Sequence, residues 1–160
     1  MIMRIPKIYL ETSVFNFAFA DDAPEKKADT LKLFEEIRDG RYLPYTSKYM
    51  TDEIEKASDE KKDRMEGVII GHEIETLLKT AETERLADEY LKEGIIPIKY
   101  RTDALHIASA TVNDMDIIVS WNFEHIVKRK TIVMTELVNV RNGYKKVEIY
   151  SPSEVTENDP

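Results

Sequence analysis

The sequence predicts an α/β fold, a three-layer sandwich in which helices flank a central, mostly parallel sheet. Two observations support this. Short apolar runs with the composition of strands lie at 5–11 (IPKIYLE) and 115–121 (MDIIVSW). Between such runs, apolar residues recur at helical spacing. Strands that alternate with helices are typical of parallel sheets covered on both faces.

The first strand, at 5–11, is followed by a short helix from Ser13. The loop DDAP predicts the start of the next helix, with Asp22 as the N-cap and Pro24 in the first turn. Gly40 ends that helix. The residues expected to face the core are Ala28, Leu31, Phe34 and Ile37. Those expected on the solvent side are Lys32, Glu35, Glu36 and Asp39.

The middle of the chain predicts two further strands and two helices. A strand is expected at 42–46, although Pro44 is unusual in a central strand. Ser47 begins a helix, and a second helix covers 59–70. The apolar run at 73–77 is too short for its period to separate strand from helix, and we expect a strand there.

The second half begins with a helix that Thr80 or Thr83 caps and that Gly94 ends. Next comes a helix with the sequence RTDALHIASATVN, whose alanines suit close packing. The strand at 115–121 is the clearest in the chain, because Ile117, Ile118 and Val119 are β-branched.

Length and composition indicate one ordinary globular domain. We expect a single domain over residues 1–151 and a flexible C-terminal tail over 152–160. The chain of 160 residues has 42% hydrophobic and 34% charged residues, within the range of such domains. It lacks cysteine, a secretion-signal pattern and any long apolar run. We therefore expect a cytoplasmic protein with no membrane association.

The net charge of −8 argues against a protein that coats nucleic acid without specificity, since such binding depends on cations that neutralise phosphates. It does not exclude an enzyme that reaches nucleic acid through bound metal ions. Acids gathered around a divalent cation are themselves a source of negative charge.

Four oxygen-bearing side chains fall near predicted strand ends and helix starts. Glu11 ends the first strand, Glu53 lies on the helix after the second, Asp103 opens a later helix, and Asn122 follows the strand at 115–121. Ligands of open α/β folds bind at the carboxyl ends of parallel strands. Mg²⁺ and Mn²⁺ prefer carboxylate oxygens. The pattern therefore indicates a metal site at one rim of the sheet.

The order and spacing of these residues resemble those of PIN-domain nucleases, in particular the VapC-type toxins. The matching segments are ETS at 11–13, Glu53, DALHIASA at 103–110 and SWNFEHI at 120–126. The resemblance runs from the first strand to the final segment VEIYSPSEV. It therefore covers nearly the whole chain with a PIN-like fold.

The resemblance implies an endoribonuclease that depends on Mg²⁺ or Mn²⁺, as the toxin of a type II toxin–antitoxin pair. It implies Glu11, Glu53 and Asp103 as metal ligands, with Asn122 as a weaker fourth catalytic residue. Ser13 and Ser120 would support the site by orienting water or the acids, or would serve only as caps. The implied partners are an RNA substrate, a cognate antitoxin protein and a second copy of the chain in a homodimer.

Two residues depart from the usual pattern of that family. The usual first acid is aspartate, and Glu11 is longer by one C–C bond, about 1.5 Å. Asn122 supplies a neutral oxygen where many relatives carry a charge. Three carboxylates instead of four should weaken metal binding, so we expect Glu11→Asp and Asn122→Asp to tighten it, unless the site is fitted to the longer acid.

Simpler interpretations of these residues remain open. Glu53 could belong to a solvated helix face, and Asp103 could only favour the positive end of its helix. We expect Trp121 to pack rather than to stack on bases, and His106 to be a structural histidine. The rival functions are a PIN-like protein- or RNA-binding module with weakened chemistry and a metal-dependent phosphatase.

Overall fold

The computed structural model describes residues 4–157, which are built around a sheet of five parallel strands. The strands are β1 (Lys7–Leu10), β2 (Leu43–Ser47), β3 (Glu75–Leu77), β4 (Ile117–Val119) and β5 (Glu148–Tyr150). Their order is β3-β2-β1-β4-β5, and every neighbouring pair is parallel. The predicted α/β class with a central parallel sheet is confirmed.

Eight α-helices occur within the described residues: α1 (Thr12–Phe17), α2 (Pro24–Arg38), α3 (Lys48–Glu55), α4 (Asp59–Gly71), α5 (Ala81–Lys92), α6 (Arg101–Val112), α7 (Arg129–Arg141) and α8 (Pro152–Glu157). A short 3₁₀ helix, Ile98–Tyr100, leads into α6. No helix of this part of the chain is long and apolar enough to cross a bilayer.

The central strand β1 separates two apolar cores. Successive strand side chains point to opposite faces, so Tyr9 joins one core, while Ile8 and Leu10 join the other. The core around Tyr9 includes side chains of α5, α6 and α7. The opposite core includes side chains of α1, α2, α3, α4 and α8. Burial on both faces explains why β1 is apolar throughout its last three residues.

Helix α2 is rotated relative to the expected orientation. Leu31 and Ala28 are exposed, whereas Leu33 is fully buried with Phe34 and Ile37. Glu36, expected on the solvent side, is also buried and lies 3.5 Å from Arg41.

A tertiary contact is consistent with the phase of α2. The indole Nε1 of Trp121 donates to Thr30 Oγ1 at 2.8 Å, and Thr30 is fully buried. The helix also begins without the expected cap, because Ala23 and not Asp22 stands at the N-cap position, with no side-chain bond.

Pro44 lies in β2 between two other strands, a position that usually excludes proline. The Leu43 N–H donates to Pro6 O in the segment before β1. Because donors alternate in direction along a strand, the missing N–H of Pro44 is on the β3 side. β3 pairs with β2 only from Tyr45 onward, so no ladder bond is lost there.

The expectation of a flexible tail over 152–160 differs from the structure at 152–157, which forms α8. Val155 and Thr156 are buried, and Val155 packs into the core that contains residues of α2. The start of α8 is a capping box, in which the Glu154 N–H donates to Ser151 Oγ and the Ser151 N–H donates to Glu154 Oε1. The sequence SPSE carries this helix-start signal. Residues 158–160 lie outside the described part.

Asp116, just before β4, ties the N-terminal segment to the sheet. Its carboxylate accepts two bonds from Arg4, at 2.9 and 2.6 Å, and one from the backbone N–H of Lys7 at 2.8 Å. Lys145 adds a fourth at 3.0 Å. Partial burial alone would raise the pKa of Asp116, but these bonds outweigh it and hold the pKa well below the ordinary value.

Asp116→Asn should lower the free energy of unfolding by about 1–2 kcal/mol at pH 7, because the bonds lose their charge while Arg4 and Lys145 stay solvated. A depressed pKa stabilises the fold fully above the pKa of the unfolded chain, about 4, and the benefit is lost progressively as the pH falls from there through the lower folded-state pKa. Urea unfolding at pH 7 and pH 3 measures both effects. Asp21→Asn, at an exposed pair with Lys27, is the control and should change little. An Asp116→Asn deficit that is as large at pH 3 as at pH 7 would contradict the role of the charge.

Candidate active site

Glu11 lies where β1 ends and α1 begins. Its backbone N–H donates to Val119 O at the end of the neighbouring strand β4, so both strands end at the same rim. Ser120 follows β4 directly. Glu11 is also the N-cap of α1, so the two interpretations of this acid, as a cap and as a site residue, describe the same position.

The Glu11 carboxylate is buried and held by three hydrogen bonds. Ser13 Oγ and Ser120 Oγ donate to Oε1 at 2.6 and 2.5 Å, and the Ser13 N–H donates to Oε2 at 3.1 Å. The two hydroxyls in turn accept bonds from the backbone of the loop after β4: Trp121 N–H donates to Ser13 Oγ, and Asn122 N–H donates to Ser120 Oγ.

The two serine hydroxyls are placed at the distance that a glutamate side chain at position 11 reaches. An aspartate would end about 1.5 Å short of the two hydroxyls. Ser13 and Ser120, predicted as supporting residues, both contact the acid directly. The geometry therefore favours a site fitted to glutamate over a strained substitute for aspartate.

Glu53, on α3, contacts the buried histidine His106. His106 Nε2 lies 2.7 Å from Glu53 Oε1, which also accepts a 2.6 Å bond from Thr12 Oγ1. The other ring nitrogen of His106 lies 2.6 Å from the Tyr9 hydroxyl, and that hydroxyl lies 2.6 Å from Ser47 Oγ. A continuous chain of hydrogen bonds thus connects β1, β2, α1, α3 and α6.

All three predicted acids act on His106. Complete burial alone would lower its pKa, but the bond to Glu53 and the charges of Glu11, Glu53 and Asp103 raise the pKa above its ordinary value. For Glu53, burial would raise the pKa, yet the bond and charge of His106 with the Thr12 bond lower it. His106 and Glu53 therefore stabilise each other's charged forms.

Asp103 lies in the first turn of α6. Its Oδ2 lies 3.0 Å from His125 Nδ1. Burial, followed by the negative charge of Glu11, raises the pKa of Asp103 despite the opposing effects of the two histidines. Asp103 and Glu11 thus repel each other across the site although they are far apart in the chain.

Asn122 has a local structural role in the loop after β4. Its side-chain Oδ1 accepts the His125 N–H at 2.9 Å, which orders the turn that presents His125 to Asp103. The predicted fourth oxygen is therefore used to shape the loop.

The charges of the three predicted acids all reach His106, but the acids do not form a closed metal cage. Within residues 4–157, no group of three His, Asp or Glu side chains is arranged to hold a metal ion. Glu11 and Asp103 have the donor chemistry for a hard divalent cation, which proteins often bind through one or two carboxylates. Their mutual repulsion is the kind that a cation relieves. Glu53 Oε1 is instead engaged by His106 and Thr12.

Several site residues were not predicted from the sequence. From the sequence, Tyr9 is a strand residue and Thr12 and Ser47 are cap residues. Only their tertiary contacts show that they belong to the chain of hydrogen bonds through His106. His106 is a buried, hydrogen-bonded structural histidine, as expected, and its direct partner among the acids is Glu53. Trp121 is buried and bonded to Thr30, in agreement with a packing role. The one available signal for His106 was its position three residues after Asp103, on the same helix face.

The five parallel strands, with Glu11 at the carboxyl end of β1 and Ser120 at that of β4, define an α/β protein with the PIN-domain fold. Two solved structures share this VapC-type fold. One is VapBC2 from Rickettsia felis, bound to a DNA fragment from its promoter, with a TM-score of 0.55 and 14% identity over 91% of this chain and 98% of that one. The other is VapC20 from Mycobacterium tuberculosis, a toxin that cleaves the Sarcin-Ricin loop, with a TM-score of 0.52 and 13% identity over 88% of this chain and 98% of that one. No protein-family model and no curated protein sequence matches the chain.

Proposed function

We propose that the protein is a divalent-metal-dependent endoribonuclease that hydrolyses RNA phosphodiesters. The PIN-domain fold supports this proposal, as does the similarity to a toxin that cleaves RNA. The observation that carries it is that the charges of Glu11, Glu53 and Asp103 all raise the pKa of one buried histidine, His106. These acids are far apart in the chain, and like charges that folding brings close repel one another. A hydrolytic site explains why the fold brings them together.

In this proposal Glu11 and Asp103 are the primary holders of Mg²⁺ or Mn²⁺. Glu53 and Asn122 are the weaker third and fourth candidates, because Glu53 Oε1 is engaged by His106 and Asn122 Oδ1 accepts the His125 N–H. A bound divalent cation would supply an acidified water and would neutralise charge that grows on the phosphate. Ser13 and Ser120 hold the Glu11 carboxylate in one orientation. His106 positions Glu53, and His125 positions Asp103.

We further propose that the protein acts as the toxin of a type II toxin–antitoxin pair in the cytoplasm, as a homodimer silenced by a cognate antitoxin. The similarity to VapBC2, which is bound to a DNA fragment from its promoter, supports this proposal. Co-expression with the neighbouring reading frame, followed by affinity purification, tests the pairing directly. Expression of the chain alone should arrest growth, and co-expression with that reading frame should restore it.

Millimolar Mn²⁺ should raise the melting temperature by about 3–8 °C at neutral pH, because an ion that binds only the folded state stabilises it by mass action. Differential scanning fluorimetry measures this shift. Asp103→Asn should remove most of it, whereas Asp63→Asn, on an exposed part of α4, should leave it intact.

A melting curve that Mn²⁺ leaves unchanged would contradict the metal site. The engagement of Glu53 by His106 would then favour the rival function, a PIN-like binding module without catalysis. RNA binding in the presence of a chelator, without cleavage on adding Mn²⁺, would identify that module.

A further inference from the structure

An aromatic cluster lies beside Glu11, in a region that the proposed chemistry does not use. It consists of Phe17 at the end of α1 with Trp121 and Phe123 after β4. The Trp121 ring lies 5.9 Å from Phe17 and 6.1 Å from Phe123, measured between centroids. Trp121 is buried, but 49% of Phe123 is exposed. The cluster thus has a packed base and an open outer ring.

The hydrogen bonds that hold Glu11 also fix this cluster in place. The Trp121 N–H donates to Ser13 Oγ, and the Asn122 N–H donates to Ser120 Oγ. Both hydroxyls donate to Glu11. Phe123 follows Asn122 directly, so its backbone is anchored within one residue of the acid site.

Lys26 places a cation against the same rings. Its Nζ lies 5.0 Å from the Phe17 centroid, 5.6 Å from that of Trp121 and 5.7 Å from that of Phe123. No carboxylate in residues 4–157 forms an ion pair with it. Its charge is therefore available to an anion near Phe123.

The start of α2 adds a second feature that suits an anion. Helix α2 begins without a side-chain cap, and a surface depression of about 390 Å³ is lined there by Ala23, Pro24, Glu25 and Lys26. Uncapped N–H groups at a helix start attract phosphate oxygens. The carboxylate of Glu25 opposes that attraction, so Lys26 must supply the net positive charge.

We propose that Phe123 and Lys26 form a subsite for one unpaired nucleotide of single-stranded RNA. The base stacks on Phe123, and an adjoining phosphate binds Lys26 at the start of α2. An aromatic face beside a cation is the usual combination in proteins that bind single strands. The net charge of −8 provides no general attraction to RNA, so such local contacts must hold it. This subsite rests on the proposed ribonuclease function.

Binding of a fluorescein-labelled single-stranded RNA to the Asp103→Asn protein tests the subsite without cleavage. Fluorescence anisotropy with Mn²⁺ should show that Phe123→Leu, added to Asp103→Asn, weakens binding about 10-fold or more, because it keeps an apolar side chain but loses the stacking face. Phe123→Tyr should bind like the parent. Leu137→Ala, at an exposed apolar residue of α7, is the matched control and should bind unchanged.

Lys26→Gln should reduce the slope of log K against log salt by about 0.7, the effect of one lost phosphate contact on a single strand. Lys92→Gln, exposed on α5, should leave the slope unchanged. The single tryptophan, Trp121, gives an independent signal, since its emission should change on RNA addition only when Phe123 is aromatic.

Two negative results have different meanings. If the parent binds RNA and Phe123→Leu binds it equally well, the subsite is wrong while the ribonuclease proposal stands, and the exposed ring belongs to a protein contact. If neither the parent nor the wild-type protein binds RNA, the proposed function and the subsite both fail.

Discussion

Asp103→Asn should reduce Mn²⁺-dependent cleavage of single-stranded RNA by about 100- to 1000-fold. Loss of a carboxylate that holds the cation removes several kcal/mol of charge stabilisation from the transition state, and about 1.4 kcal/mol corresponds to each factor of ten. Single-turnover cleavage of an end-labelled oligonucleotide measures the rate. A chelator should stop the wild-type reaction, and added Mn²⁺ should restore it.

The fold should survive this substitution, which makes the result interpretable. Burial and the charge of Glu11 raise the pKa of Asp103. Its charged form is therefore less favourable in the folded protein than in the unfolded chain, which costs stability. A neutral amide removes that cost, and we expect the free energy of unfolding to be unchanged or higher. Asp63→Asn should cleave like wild type. Full activity in Asp103→Asn would remove this residue from the site.

His106→Leu should lower the free energy of unfolding by about 1–3 kcal/mol. The substitution leaves Glu53 without the partner that lowers its pKa, and it leaves the Tyr9 hydroxyl without the ring nitrogen at 2.6 Å. The loss of a partner for the buried Tyr9 hydroxyl accounts for most of this cost. Glu53 adds less than a fully buried charge would, because 38% of its side chain is exposed to water. Chemical denaturation with urea at pH 7 measures the loss.

Adding Glu53→Gln to His106→Leu should recover part of the lost stability. The amide removes the uncompensated charge, so the two substitutions should cost less together than the sum of their separate effects. This double-mutant cycle separates the ion pair from the cavity that leucine leaves. A His106→Leu cost below about 1 kcal/mol, or strict additivity, would show that the network contributes little.

The sequence alone was sufficient to predict the α/β class, the parallel sheet and most of the elements. Alternation of short β-branched runs with helical spacing is a local property, so β1, β4, α5 and α6 were expected close to where they lie. The convergence of the strand-end residues Glu11 and Ser120 also followed from topology, because parallel strands end at one edge.

Local signals alone did not determine the rotation of α2 or the order of the chain end. Helix α2 buries the face that holds Thr30, which bonds to Trp121 from a distant loop. The helix α8 carries a capping box in its sequence, but one turn of helix is stable only when packed, and Val155 is buried against the rest of the fold. Pro44 fits β2 because β3 starts one residue later.

The arrangement of the site was decided by tertiary structure. The sequence identified Glu11, Glu53 and Asp103 by type and order, but it contained no information on which side chain each acid contacts. Folding places His106 against Glu53, whose Oε1 is engaged by His106 and Thr12. Within residues 4–157, no three histidine or acidic side chains form a shared metal cage. The extra length of Glu11 brings its Oε1 within hydrogen-bond distance of both Ser13 and Ser120. Such contacts join residues far apart in the chain, and their geometry depends on how the helices pack on the sheet.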